Sequence, residues 1–292
     1  MRKKQAFRRN WWIALFLSLL TLACILPILN TIAISFSSQA AAASGSVTFW
    51  PKDFTISSYE KLMAESEFGT AILISIERVL LAVLISGGTS VLMGFALSHS
   101  NHIFHGRNFY MWILVFTMLF NAGTIPWYIT IRSVGLLDTI WALVLPCAVS
   151  AYNTLILMNF FRGIPHELEE AAFMDGAGVW RILFQIYIPL SLPALATIIL
   201  FVVVYHWNNF FDGLVLMNKP EHYPLQTYIY QLTVKVDIRT ISNLDTLKEL
   251  LKVSGRTINA AKLVVSMVPI LLIYPLLQRY FVTGLTLGSV KG

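Results

Sequence analysis

Several histidine and glutamate side chains in this sequence have the chemistry to bind a metal ion or to activate water. His99, His102 and His105 are three residues apart, a spacing at which imidazole rings can chelate a metal. His166 and Glu167 begin like a zinc-protease motif, but the second histidine of that motif is missing. The histidine triplet is therefore interpreted as part of a solvated loop, and no metal site is predicted.

Other catalytic arrangements do not stand out in the sequence. Cys24 and Cys147 both lie inside apolar runs, so neither a disulfide framework nor a cysteine metal site is expected. There is no Ser-His-Asp or Cys-His arrangement above chance, and no Gly-x4-Gly-Lys-Ser/Thr loop that could cradle a nucleotide. The chain is not predicted to be an enzyme, and any ATP must be bound by a partner.

The composition predicts a membrane protein. Hydrophobic residues make up 57% of the 292 residues and charged residues only 12%, whereas soluble domains average about 45–50% and about 25%. A spanning helix needs about 20 mainly apolar residues. Six candidate spans of this kind are found, at about 11–34, 69–98, 109–131, 139–160, 188–206 and 260–281. The first run is too long for the apolar region of a cleavable signal peptide.

The positive charges predict the orientation, since Lys and Arg collect on the cytoplasmic side of a membrane. The segments assigned to the inside carry Arg2, Lys3, Lys4, Arg8, Arg9, Arg107, Arg162, Arg181, Arg279 and Lys291. The two shorter outside segments carry only Lys52, Lys61 and Arg132. We therefore expect one multi-pass domain (1–292) in a bacterial inner membrane, with both termini cytoplasmic, a cytoplasmic loop at 161–189 and an external loop at 207–259. Anionic lipid accounts for the basic charge, and no nucleic acid is implied.

The loop between the fourth and fifth spans is too polar to cross a membrane. Pro165 suits the first turn of a helix, and the acidic residues after it favour the positive end of the helix dipole. Ala171 and Ala172 are strong helix formers, and Gly176 then ends the helix. The loop is predicted to form a helix, a turn and a second short helix over 179–185, compact enough to dock into a partner.

This loop resembles the EAA loop of membrane subunits of ATP-binding-cassette (ABC) importers. The family pattern is Glu-Ala-Ala, three residues, Gly, nine residues, then Ile-x-Leu-Pro. It is met here, with Ile188 as a conservative departure from Leu, by Glu170, Ala171, Ala172, Gly176, Ile186 and Pro189. The resemblance implies an all-α bundle of six transmembrane helices, like a type I importer permease. It also implies that these residues, with Asp175, form a coupling helix that seats in a groove of the ATPase subunit.

Two further stretches resemble carbohydrate permeases, including the second permease of the maltose importer. The C-terminal stretch with Gly284, Gly288 and Lys291 is similar to a tail that reaches toward the ATPase dimer, although a short tail could also be idle. Trp207, Asn208 and Phe211 belong to a Trp-Asn-aromatic signature. These residues either line the outer gate or serve as an interfacial anchor.

Within these permeases, 259–281 and the Gly-Ser-Val-Lys-Gly ending look like the subgroup that imports acidic oligosaccharides, such as the alginate and rhamnogalacturonan importers. The resemblance implies a homologous second permease, two ATP-binding-cassette subunits that hold ATP and Mg, and an external or periplasmic solute-binding protein. The oligosaccharide would cross by alternating access.

Two other classes remain as alternatives to this interpretation. An ion-driven secondary transporter would show inverted repeats and ionisable residues deep in broken helices, and the deep candidates here are Glu77 and Arg78. A membrane-embedded enzyme would need clustered catalytic residues at membrane depth. Arg78 either bonds to Glu77 or to another helix, or lends positive potential to a pathway for uronate-bearing sugars.

Overall fold

The computed structural model describes residues 2–234 and 255–288, and the side chains of 11–231 and 255–275. In these ranges the regular structure is helical, which confirms the predicted fold class. The helices are α1 (Arg2–Ser35), α2 (Gln39–Ala43), α3 (Ser57–Ala64), α4 (Ser66–Ala82), α5 (Gly88–Ser98), α6 (Arg107–Leu119), α7 (Thr124–Ser133), α8 (Ile140–Val144), α9 (Ala151–Arg162), α10 (His166–Met174), α11 (Val179–Ile182), α12 (Ile188–Leu190), α13 (Leu192–Asn208), α14 (Phe211–Leu216), α15 (Leu225–Val234) and α16 (Arg256–Gly288). The turns at Val83–Gly87 and Leu183–Tyr187 are π-helical, and those at Leu145–Cys147 and Pro220–His222 are 3-10.

Candidate membrane-spanning segments, either single helices or bent helix pairs, occur at the six predicted places. Three segments are long and apolar enough to span without a sharp bend: Trp11–Ser35, Ser66–Ser98 and Arg256–Pro275. Three further candidates are pairs of helices that bend sharply: Arg107–Leu119 with Thr124–Ser133 (120°), Ile140–Cys147 with Ala151–Arg162 (48°), and Val179–Leu190 with Leu192–Asn208 (84°). In the last pair, most of the first helical segment belongs to the predicted cytoplasmic loop at 161–189. The described chain therefore has up to six candidate spans, three of them next to or containing a sharp bend.

The breaks have local causes in the sequence. Gly123, with φ of +84°, precedes α7, and its amide donates to Asn121 Oδ1 at 2.8 Å. Pro146 lies in the turn that ends α8. The Ser150 hydroxyl caps α9 by accepting a hydrogen bond from the backbone N–H of Asn153 at 3.3 Å. Pro193 stands in the first turn of α13. These residues stop one helix and start the next inside an apolar run.

One compact unit comprises Met1–Phe68 and Gln231–Val268. In it, Asn30 Nδ2 donates to the Thr48 carbonyl at 2.6 Å, and Lys262 Nζ lies 3.0 Å from Glu65 Oε2. The best spanning window of α1 is 0% buried within the chain. An apolar helix this exposed needs lipid or another subunit around it.

The second compact unit comprises Gly69–Tyr230 and Pro269–Gly292. In it, α5 packs closely on α9, because a Cβ on Gly94 would lie 3.3 Å from both Leu157 Cβ and Met158 N. Around this contact lies a cluster of buried side chains: Phe95, Leu157, Phe161, Ile164, Ile182, Leu183, Tyr187, Ala194, Leu195 and Ile198. This cluster supports the loop at 161–189.

Candidate functional site

The EAA loop (161–189) contains a defined helix, a left-handed turn and a second helical stretch. Glu167 and Glu169 lie in the first turn of α10. Gly176 has φ of +76°, its amide donates to the Phe173 carbonyl at 3.0 Å, and the Ala177 amide donates to Ala172 at 2.9 Å. This pair of bonds is the Schellman ending that favours glycine at the left-handed position. The second helical stretch continues beyond the predicted 179–185 as far as Leu190.

The inner face of this loop is fixed by a buried polar cluster, Glu169, His99 and Tyr187. Glu169 is only 8% exposed; its Oε1 lies 2.9 Å from His99 Nε2, and its Oε2 accepts the Tyr187 hydroxyl at 2.7 Å. His99 Nδ1 lies 2.8 Å from the carbonyl of Phe95. Both ring nitrogens of His99 therefore lie within hydrogen-bond distance of oxygen atoms. The cluster joins the end of α5, helix α10 and the turn before α12.

The outer face of the loop is apolar and exposed. Met174 is 88% exposed, and Leu168, Phe173 and Trp180 are also exposed. The predicted coupling residues divide between the two faces. Glu170, Ala171, Asp175, Gly176 and Pro189 are exposed, whereas Ala172 and Ile186 are half-buried against the core cluster. The exposed apolar surface with adjacent carboxylates has the character of a docking surface.

Arg78 forms the second polar arrangement of the candidate site. It is 0% exposed, and its Nη2 lies 2.5 Å from Asp212 Oδ2. Its Nη1 donates to the Asn209 carbonyl at 3.0 Å and its Nε to His206 Nδ1 at 3.3 Å. Asn209 Nδ2 also donates to Asp212 at 2.9 Å. Arg78 therefore bonds to the end of α13 and the start of α14, and these contacts do not include Glu77.

The remaining predicted pathway residues do not form one cluster. Glu77 is exposed on α4, and Trp207 is buried. Asn208 is exposed and donates from its side chain to the Val204 carbonyl at 2.9 Å. Phe211 is exposed and lines a cavity of about 780 Å³ at the α6–α7 and α8–α9 breaks.

The predicted tail contacts fall at the edge of the described chain. Gly284 and Gly288 lie in α16, and Lys291 lies outside the described residues. Much of the predicted external loop, residues 235–254, also lies outside them.

Sequence reasoning missed the polar cluster inside the EAA loop. The solvated-loop interpretation fits the exposed His102 and His105 but was wrong for His99, which is buried against Glu169. The burial of Glu169 could have been predicted from one signal. Glu169 lies three residues before Ala172, which faces the core, and residues at this spacing share a helix face. His99 gave no comparable signal, because its partner is 70 residues away in sequence.

Comparisons with known proteins agree with this architecture. Residues 5–287 match the profile of the family described as binding-protein-dependent transport system inner membrane component. The polygalacturonan/rhamnogalacturonan transport system permease protein YtcP of Bacillus subtilis (strain 168) is 37% identical over 277 residues, which cover 95% of this chain and 96% of that protein.

Two solved structures are similar to the chain. A chain from a bacterial ABC transporter involved in the import of the acidic polysaccharide alginate has a TM-score of 0.83 and 34% identity, covering 96% of this chain and 98% of that one. A chain from a bacterial alginate ABC transporter in complex with an alginate pentasaccharide-bound periplasmic protein has a TM-score of 0.54 and 17% identity, covering 94% of each. The second likeness concerns the fold alone.

Proposed function

We propose that this chain, which belongs to the family of binding-protein-dependent transport system inner membrane components, carries acidic oligosaccharides into the cell. The ABC-importer family predicted from the EAA loop is confirmed, as is the sugar-permease resemblance predicted from the C-terminal stretch and the Trp-Asn-aromatic signature. The chain is a multi-pass permease subunit of a sugar ABC importer, without an ATPase site of its own. The finer statements about substrate, partners and coupling are the proposal developed below.

The observation that carries the proposal is the construction of the EAA loop. Its inner face is bonded to the transmembrane helices through Glu169, while its outer face presents Glu170, Asp175 and exposed apolar side chains. Within the described chain, α10 is bonded on its inner face and has no partner on its outer face. Such a helix can bind a second protein and move with it. In our proposal that protein is an ATPase subunit.

The substrate class is supported by the relatives. One relative 37% identical to this chain is named for polygalacturonan and rhamnogalacturonan, and one solved structure 34% identical is described for alginate. All three polymers contain uronate residues, whose carboxylates are ionised at neutral pH. We therefore propose a uronate-containing oligosaccharide as the cargo.

The partners follow from the proposed mechanism. A homologous second permease would cover part of the exposed α1, and lipid would cover the rest. Two ATP-binding-cassette subunits would hold ATP and Mg, and a solute-binding protein would deliver the oligosaccharide from outside. Both termini would lie in the cytoplasm, as the distribution of Lys and Arg favours. The C-terminal residues Gly284, Gly288 and Lys291 would reach toward the ATPase dimer.

Transport would proceed by alternating access. Closure of the ATPase dimer would displace α10 through Glu170 and Gly176. The Glu169 carboxylate would pass this displacement to the end of α5 through His99 and to the turn before α12 through Tyr187. Movement of the broken spans would open the sugar pathway outward, and ATP hydrolysis would reset it. In this proposal the sugar pathway or its gate includes the residues predicted from the sequence: Glu77, Arg78, Trp207, Asn208 and Phe211. Oligosaccharide uptake by reconstituted vesicles, the assay used below for the EAA loop, also tests these residues.

Substitution in the EAA loop tests the coupling directly. Glu170→Arg reverses an exposed charge, and Gly176→Asp forces a side chain into a left-handed backbone with φ of +76°. We expect both variants to enter the membrane normally and to lower oligosaccharide uptake by reconstituted vesicles at least about tenfold, the loss that 1.4 kcal/mol of coupling free energy produces.

Gly178→Asp is the matched control for the glycine substitution. Gly178 has an ordinary φ of −76° at the N-cap of α11, where aspartate is favoured, and a Cβ there meets no atom within 4 Å. It adds the same charge without the backbone strain and should retain most uptake. Full uptake by Glu170→Arg and Gly176→Asp would refute the coupling role.

A further inference from the structure

A second cavity lies in the membrane-spanning part of the chain, where the α8–α9 break faces α13. Its volume is about 460 Å³, within the range usual for small-ligand sites. Its wall includes Ser86, the turn at Pro146–Ser150, Asn153 and His206. Non-helical backbone at membrane depth is stable only where protein buries it or where it lines a water-filled cavity. With this polar wall, the cavity, called the donor cavity below, is suited to polar contents.

Three nearly buried polar side chains line the donor cavity. Ser86 is 3% exposed, Asn153 is 6% exposed and His206 is 3% exposed. Among the described residues, none forms a hydrogen bond with the Ser86 hydroxyl, the Asn153 side-chain amide or His206 Nε2. These three groups border the open volume of the cavity and are not sealed from it. They are therefore free to bond to a polar ligand or to water inside the cavity.

The bonding of Arg78 determines what His206 offers to the cavity. A guanidinium group can only donate, so His206 Nδ1 must accept the hydrogen bond from Arg78 Nε at 3.3 Å. The proton of the neutral ring is then on Nε2, and this atom is a donor. Arg78 is fully buried, so it makes no direct contact with the contents of the cavity, and its hydrogen bond to the cavity wall runs through His206.

The remaining wall of the donor cavity fits a sugar ring. Tyr152 and Phe201 lie side by side with ring centroids 6.1 Å apart, and both are part of the lining. Ligand sites commonly combine such aromatic surfaces with a few placed polar groups. The lining contains no carboxylate, and the nearby Asp212 is ion-paired with Arg78. A negatively charged ligand therefore meets hydrogen-bond donors here and no unpaired negative charge.

We propose that the donor cavity is a subsite for one uronate residue of the translocated oligosaccharide. Its carboxylate accepts hydrogen bonds from His206 Nε2, Asn153 Nδ2 and the Ser86 hydroxyl, and its ring packs against Tyr152 and Phe201. This inference rests on the proposed function and adds specificity residues to it. Arg78 is a positioning residue, which fixes the tautomer of His206.

A change of charge at Asn153 tests the subsite. Asn153→Asp keeps the shape of the side chain but replaces a donor by a carboxylate that repels a uronate. We expect uptake of trigalacturonate by the reconstituted complex to fall at least tenfold, and uptake of its methyl ester to change less than threefold. Asn101→Asp, an exposed substitution outside the spans, is the matched control and should leave both uptakes unchanged. Equal loss of both sugars in Asn153→Asp would overturn the subsite.

Binding of trigalacturonate in the donor cavity is measured separately, by the rate at which the thiol of Cys147 is alkylated. Cys147 lines the cavity. In a Cys24→Ser background Cys147 is the only cysteine of this chain. We expect trigalacturonate to slow its alkylation at least threefold in the assembled complex, and to give no protection after Asn153→Asp. No protection in a complex that does import trigalacturonate would overturn the subsite and leave the proposed function intact. A complex that imports no uronate oligosaccharide would overturn both.

Discussion

The Arg78–Asp212 pair allows a quantitative test of how the spans are held together. Arg78 is fully buried and Asp212 nearly so, and their side chains meet at 2.5 Å. Asp212→Leu removes the carboxylate and leaves the guanidinium charge buried, with bonds only to Asn209 and His206. Removing one partner of a buried pair costs about 3–5 kcal/mol. At about 1.4 kcal/mol per factor of ten, the unfolded fraction should rise at least about 100-fold.

A double-mutant cycle separates the pair from its surroundings. Arg78→Met with Asp212→Leu replaces both charges by apolar groups and should be more stable than Asp212→Leu alone, because no unpaired charge remains. The exposed Lys219–Glu221 pair, with its atoms 3.8 Å apart, is the matched control. Glu221→Leu should cost less than about 1 kcal/mol.

The assay is heat survival of the purified complex, measured as the fraction that remains monodisperse on size exclusion. We expect the order of stability to be native and Glu221→Leu, then the double variant, then Asp212→Leu. The Arg78→Met single variant is measured as well, to complete the cycle. If Asp212→Leu were as stable as native, or if the loss in the double variant equalled the loss in Asp212→Leu plus the loss in Arg78→Met, the pair would not support the fold as argued.

Three other predictions concern the EAA loop, helix packing and orientation. Glu169→Leu leaves the hydroxyl of Tyr187 and one nitrogen of His99 without a partner. It should lower the amount of sugar imported per ATP hydrolysed more than the exposed control Glu167→Leu does. An equal ratio of sugar to ATP in the two variants would contradict the positioning role of Glu169. Gly94→Ala should lose about 1–3 kcal/mol of stability, because the added methyl group overpacks α5 on α9. Gly88→Ala, with no atom within 4 Å of the added Cβ, should not lose stability. Both variants are compared by the heat survival of the purified complex, and equal survival would refute the close contact at Gly94. A cysteine at the exposed Ser44 should react with an impermeant reagent added outside intact cells, while one at Met174 should react only after permeabilisation, and the reverse pattern would invert the topology.

The sequence predicted the features that depend on local pattern. Long apolar runs predicted the six places where candidate spans occur, because a candidate span is recognised by length and composition alone. The spacing from Glu170 to Pro189 predicted the importer family, which the family match confirms. Gly176 was predicted to end the first loop helix, and the structure places it in a left-handed turn because glycine alone adopts that backbone without strain.

Features that depend on distant residues were not predicted. Arg78 meets Asp212 across 134 residues, and His99 meets Glu169 across 70. One sequence contains no signal that pairs such groups, since periodicity reports only neighbours on the same helix. The sharp bends inside three spans were missed for a related reason. Pro146 and Gly123 indicate a break, but the angle is set by the helices packed around it.

The most direct test of the proposed function is uptake of trigalacturonate by vesicles that contain this chain with its second permease, ATPase subunits and solute-binding protein. Uptake should require ATP and Mg on the side of the membrane that carries the ATPase subunits. It should persist when proton and sodium gradients are collapsed, and it should fall at least tenfold with Glu170→Arg. Uptake that continues without ATP and follows an ion gradient would contradict the assignment of this chain to ATP-driven import of acidic oligosaccharides.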